Sequence, residues 1–154
     1  MAWRAISAAV LGIALEHGHA AEALPYRVDG DAIAQPLAAV AADAGKGRQL
    51  FIAREAGHCV LCHRVAGLDV PFQGDLGPAL TGIGARLSPG QIRLRVLDAS
   101  RLNPDTVMPP YYRTRGLNQV AAPYRDQTVL SAAAIEHIVA WLSTLTEAPE
   151  NGVP

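Results

Sequence analysis

The chain has 154 residues, half of them hydrophobic, with 13 basic residues against 14 acidic ones. This length suits one domain with a buried core and is too short for a multi-domain enzyme. A net charge near zero, without a basic cluster, argues against nucleic-acid binding. Only 5% of residues are aromatic, whereas glycine (14) and proline (11) are plentiful. We therefore expect a loop-rich fold whose weak core is completed by a bound group.

The first 23 residues are typical of a signal peptide. Arg4 gives a positive start, residues 5–15 are apolar, and small residues follow at cleavage positions after Ala20 or Ala23. An uncleaved membrane anchor is less favoured because a spanning helix needs about 20 apolar residues. We expect an exported protein without a membrane span. A flexible segment at 24–38, a main domain at 39–146 and a flexible tail at 147–154 would follow the signal peptide.

A first helix is predicted within residues 39–56, and it precedes the only two cysteines, Cys59 and Cys62. A disulfide or a redox pair is possible in an exported protein, but a redox Cys-x-x-Cys normally follows a strand. A closed zinc site would need four ligands. The sequence CVLCH is typical of c-type haem attachment, with His63 as an iron ligand. We therefore predict one haem c, bound covalently through Cys59 and Cys62.

The sequence GPALTG follows the haem motif, with Pro78 fifteen residues after His63. A Gly-Pro pair is often only a turn. Here a second role is open, because a carbonyl that accepts the His63 Nδ1 proton would fix the tautomer and the ring orientation. We assign that carbonyl to Pro78.

A second helix is predicted over residues 88–99. Ser88 is the expected N-cap, Pro89 suits the first helical position, and Gln91 completes a capping-box pattern. The polar segment that follows, residues 101–128, is long for a loop in a compact domain, and such loops are usually functional. Its arginines, Arg113 among them, are candidates for haem propionates or a partner, although solvated surface is the commoner role.

Met108 lies in this segment and is the only methionine apart from Met1. A methionine is usually core filler, but Met108 is followed by two prolines that restrict the loop. We predict Met108 as the second protein ligand of the iron. The alternatives are His137 and an open or water-bound position.

The last helix is predicted over residues 131–145, with Ser131 as its N-cap and apolar residues at helical spacing. His137, flanked by Glu136, falls on the expected outer face. Trp141 is expected to pack against the first helix, and Gly47 would allow the two helices to approach closely.

Together these motifs resemble a class I cytochrome c, an all-α fold with helices and long loops around one haem. The sequence DASRLNPDTVMPPYYRT, residues 98–114, resembles more narrowly the SoxX family of sulfur-oxidation cytochromes, and the likeness continues into IEHIVAWL at 135–142. The resemblance covers most of the chain from about residue 41 to residue 145.

The resemblance implies a periplasmic monohaem protein with His63 and Met108 as iron ligands. It also implies a heterodimer with a SoxA-type cytochrome, the complex that joins thiosulfate to a cysteine of the SoxYZ carrier. In that L-cysteine S-thiosulfotransferase, the SoxA subunit hosts the sulfur chemistry. This chain would pass electrons to a downstream cytochrome and would carry no catalytic residue.

Two other functions remain open. A free monohaem shuttle would use a small, charged contact surface, whereas a stable partner needs a larger apolar patch. The apolar and aromatic residues from Val107 to Tyr112 favour the partner. A disulfide or metal-binding module without haem is the third alternative.

Overall fold

The computed structural model describes residues 23–147, which form an all-α structure as predicted. Its helices are α1 (Ala44–Ile52), α2 (Ile83–Arg86), α3 (Pro89–Asp98) and α4 (Ala132–Thr144), joined by loops and three short 3₁₀ turns. Among these residues, the only strand-like pairing is an isolated bridge between Asp29 and Ala32. No helix within this range is long and apolar enough to cross a membrane. The predicted signal peptide lies outside the described residues except for Ala23, and so does the tail beyond residue 147.

Serine caps start the two longest helices where the sequence predicts them. The Ser88 side chain accepts from the Gln91 N–H, and the Gln91 side chain returns to the Ser88 N–H, so the capping box is complete. Ser131 caps α4 by accepting from the Ala134 N–H. Helix α1 is shorter than predicted because Asp43, in extended conformation, accepts from the Lys46 N–H and fixes its start.

Helices α1 and α4 cross at Gly47. A Cβ at this position would overlap the carbonyl oxygen of His137 and lie too close to Trp141. The Trp141 ring packs on Phe51, with the ring centroids 4.7 Å apart. The close approach that we predicted for these helices is confirmed.

A buried ion pair attaches the segment before α1 to the domain. Arg93 of α3 pairs with Glu136 of α4 at 2.8 Å, and both side chains are buried. Arg93 also donates to the Ile33 carbonyl, and Glu136 accepts from the Leu37 N–H. Ile33 and Leu37, in the segment predicted to be flexible, are buried in the core. Glu136 faces inward because Arg93 provides its counter-charge.

Candidate haem site

A cavity of about 580 Å³ lies between the helices and the loop after α3. Its volume is within the range of cofactor sites, and its surface is mainly apolar, as such sites usually are. The helices contribute six of its apolar lining side chains: Phe51, Ile83, Ile92, Val96, Ile138 and Leu142.

All five predicted site residues line this cavity: Cys59, Cys62, His63, Pro78 and Met108. They come from three separate stretches of the chain. The fold therefore brings together the residues that the sequence singled out as a haem-binding set.

The His63 ring is held in a fixed orientation. Its Nδ1 lies 2.8 Å from the Pro78 carbonyl oxygen, so Nδ1 carries the proton and Nε2 keeps the lone pair that a metal needs. Backbone hydrogen bonds from Gly77 N–H to Cys62 O and from Leu80 N–H to Arg64 O, both 2.8 Å, attach this segment to the motif. A Cβ at Gly77 would overlap the imidazole.

Both cysteines are free thiols in the structure. Cys59 begins the 3₁₀ turn Cys59–Leu61, directly after His58, whose backbone is left-handed with φ 44°. Burial raises the pKa of the Cys59 thiol to about 12. A redox Cys-x-x-Cys depends on a depressed cysteine pKa, so the redox alternative loses support. Both cysteine side chains line the same apolar cavity, as attachment to one haem requires.

Met108 lies in the loop between α3 and residue 112. Its N–H donates to the Thr106 hydroxyl at 3.2 Å. Further along the loop, the Tyr111 hydroxyl donates to the Gly57 carbonyl at 2.8 Å, which ties the loop to the residues just before Cys59. Burial raises the pKa of Tyr111 above its usual range, so the hydroxyl keeps the proton that it donates.

His137 does not line the cavity. Its Nδ1 accepts from the Asp43 N–H at 2.9 Å, at the start of α1. Of the two side chains considered as a second iron ligand, only Met108 therefore faces the cavity.

Two arginines that the sequence analysis did not single out, Arg86 and Arg95, also line the cavity. Arg86 donates to the Thr81 and Ala79 carbonyls. Arg95 donates to the Gln91 carbonyl and forms a largely solvent-exposed ion pair with Asp31 at 3.4 Å. Two guanidinium groups beside an apolar cavity suit a ligand with acidic groups at its edge. In the sequence, the one indication that Arg86 lies at the cavity is its position four residues after GPALTG. Arg113, one of the long-loop arginines that the sequence offers as candidates for binding the haem propionates, pairs with Asp98 instead.

Residues 44–146 match the Cytochrome c family, and the chain belongs to that family. It therefore carries covalently bound haem c, and its single Cys-x-x-Cys-His motif provides for one haem. The cavity fits this cofactor by its apolar lining, its two cysteines, its oriented histidine and its two arginines.

Among solved structures, the chain is similar to one in the crystal structure of SoxXA from P. pantotrophus. The two are 27% identical and superpose with a TM-score of 0.75, over 83% of this chain and 99% of that chain. No curated protein matches the sequence significantly. The family match and the structural likeness confirm a class I cytochrome c fold and support the SoxX type that the sequence predicted.

Proposed function

We propose that this protein is the electron-transfer subunit of a periplasmic SoxAX-type heterodimer. Cys59 and Cys62 would attach the haem, and His63 and Met108 would bind its iron. The observation that carries the proposal is the meeting of these four side chains at one apolar cavity, in a fold similar to a SoxXA chain.

The bound haem supplies one-electron chemistry, and the residues of this chain tune and position it. Pro78 holds the His63 ring through Nδ1, and the thioether of Met108 favours a higher reduction potential. Arg86 and Arg95 are placed to meet the acidic groups of the cofactor. With two protein ligands on the iron and no third cysteine, this chain transfers electrons and leaves the sulfur chemistry to its partner.

In the complex, the SoxA-type partner joins thiosulfate oxidatively to a cysteine of the SoxYZ carrier. The haem of this chain would accept the electrons released, and the chain would hand them to a downstream cytochrome. This assignment makes the protein a subunit of an L-cysteine S-thiosulfotransferase.

Exposed apolar side chains around the cavity favour a lasting partner over a free shuttle. Leu76 and Val107 line the cavity and are 69% and 74% exposed, and Leu61, between the two cysteines, is 63% exposed. We call these three residues the apolar rim. Large exposed apolar patches usually mark binding surfaces. Tyr112, which we had placed on this surface, is instead buried in the core.

Purification from cells grown on thiosulfate tests the proposal. We expect a second haem protein to co-elute with this chain at fixed stoichiometry, visible by size and by haem staining of the subunits. A lone red monomer would contradict the heterodimer and favour the free shuttle.

A further inference from the structure

The loop that carries Met108 closes on itself at its base. The chain leaves α3 at Asp98 and returns at Tyr112, whose N–H donates to the Leu97 carbonyl at 3.2 Å. We call residues 99–112 the Met108 loop. Compact loops with adjacent ends of this kind are frequently functional.

A buried carboxylate joins the two ends of the loop. Asp98 is only 1% exposed. Its Oδ1 accepts from the Ser100 N–H at 3.2 Å and from the Ser100 hydroxyl. Its Oδ2 lies 3.3 Å from Nη1 of Arg113, which follows the loop, and the same Nη1 donates to the Ser100 hydroxyl at 3.1 Å.

This cluster is costly to bury and only partly hydrogen-bonded. Asp98 Oδ2 and Arg113 Nε are both buried without a hydrogen-bond partner among the described residues. Besides Arg113, the Nε of Arg101 lies 4.0 Å from Oδ2, too far for a hydrogen bond. Apolar residues often stabilise a fold as well as a buried ion pair does, and unsatisfied buried polar groups in native structures call for an explanation. This cluster of Asp98, Ser100 and Arg113 is therefore expected to have a role other than stabilising the fold.

In the part of the chain that the structure describes, the middle of the Met108 loop forms hydrogen bonds only within itself. Its hydrogen bonds there are local: Thr106 N–H donates to Asn103 O, Asp105 N–H to Asn103 Oδ1, and Met108 N–H to Thr106 Oγ1. Val107 is largely exposed. The direction of the Met108 side chain is thus determined at the ends of the loop, by Asp98 on one side and by Tyr111, bonded to Gly57, on the other.

We propose that Asp98 is a positioning residue for Met108: by holding Arg113 and Ser100 together, it closes the base of the loop and keeps the thioether directed into the cavity. This inference rests on the proposed role of Met108 as an iron ligand. A ligand needs a supporting layer of contacts to stay in its productive geometry, and a thioether has no charge of its own to hold it on the metal.

The test is Asp98→Asn in the holoprotein, because the amide keeps the shape of the side chain and removes its charge. We expect a weaker far-red charge-transfer band of the methionine-ligated ferric haem and a lower reduction potential. Added imidazole, which competes with Met108 for the iron, should bind about tenfold more tightly, since apparent affinity follows the population of the open state. Arg113→Met should act in the same direction, and Arg113→Lys should restore part of the wild-type behaviour.

Glu136→Gln is the matched control, because it breaks the other buried ion pair, Arg93–Glu136, which joins α3 to α4. It should lower the unfolding temperature without changing the band, the potential or the imidazole affinity. Because the Arg113 side chain is partly exposed, Arg113→Met provides the same test if Asp98→Asn does not fold.

Three outcomes would overturn the inference. In the first, the Asp98 and Arg113 variants keep the wild-type band, potential and imidazole affinity. In the second, Glu136→Gln changes them equally, which would show a general loss of stability. In the third, the wild-type protein lacks the methionine band, so the ligand assignment fails and the positioning role falls with it. The wild-type spectrum thus separates a failure of the proposed function from a failure of this inference alone.

Discussion

The Gly77 Cα hydrogen faces the ring of His63, and this contact shows how closely the backbone approaches the predicted iron ligand. The motif CVLCH and the glycine-proline pair were sufficient to predict His63 and Pro78, because both follow from local spacing. Arg86 and Arg95 were not predicted, since their positions at the cavity depend on how α2 and α3 pack. Apart from the position of Arg86 four residues after GPALTG, no sequence pattern near either arginine indicates that packing.

Gly77→Ala should disturb the histidine. The new Cβ overlaps the His63 ring, so the ring must tilt and lose its bond to the Pro78 carbonyl, at a cost of about 1–3 kcal/mol in stability. Thermal unfolding and the electron paramagnetic resonance spectrum of the ferric haem would measure both effects. Gly45→Ala is the control, because its backbone angle is not left-handed, a Cβ there meets only the Asp43 side chain, and Gly45 does not line the cavity. The interpretation of Gly77 would be wrong if both variants gave the wild-type spectrum.

Met108→Ala should abolish the low-spin spectrum of histidine–methionine ligation and lower the reduction potential, because methionine ligation raises it. Optical spectra and a redox titration would show both changes. Leu102→Ala, at an exposed position of the same loop that does not line the cavity, should leave them as in the wild type. An unchanged spectrum in Met108→Ala would exclude Met108 as the ligand.

At the scale of helices, the sequence predicts those helix ends that depend on hydrogen bonds between near neighbours in the chain. The caps at Ser88 and Ser131 gave the starts of α3 and α4, because each is a hydrogen bond within four residues. Helix α2 was missed, since it has only four residues and no side-chain cap at Gly82. The inward position of Glu136 was missed as well, because its partner Arg93 lies 43 residues away.

Gly47→Ala should destabilise the crossing of α1 and α4. The added Cβ overlaps the His137 carbonyl, and the helices must separate, which we expect to cost about 1–3 kcal/mol. Chemical denaturation would measure the loss, and the haem spectrum should change little because Gly47 does not line the cavity. Gly45→Ala in the same helix is the matched control, since its nearest neighbour is the Asp43 side chain rather than another helix. Equal losses in both variants would contradict the role of the crossing.

For the whole molecule, the apolar rim is the surface on which the proposed heterodimer depends. Replacing Leu76 and Val107 together by serine should weaken retention of the SoxA-type partner by more than tenfold, because central apolar contacts dominate binding energy. Binding measured with the two purified subunits would show this, with an unchanged far-ultraviolet circular dichroism spectrum as the check on folding, because both residues line the haem cavity. Val40→Ser alters another exposed apolar residue and should have no effect. Equal affinity for the wild type and the double variant would place the interface elsewhere.

The contact between α1 and α4 also affects when the haem can be attached. The Asp43 N–H and the His137 ring that meet there are 94 positions apart in the chain, so this contact requires the two ends of the domain to come together. Ile138 and Leu142 of α4 form part of the cavity wall. Until the C-terminal helix has docked, that side of the cavity is open and Cys59 and Cys62 are accessible to the machinery of haem attachment. We therefore expect haem attachment to be easier before the C-terminal helix docks than after it.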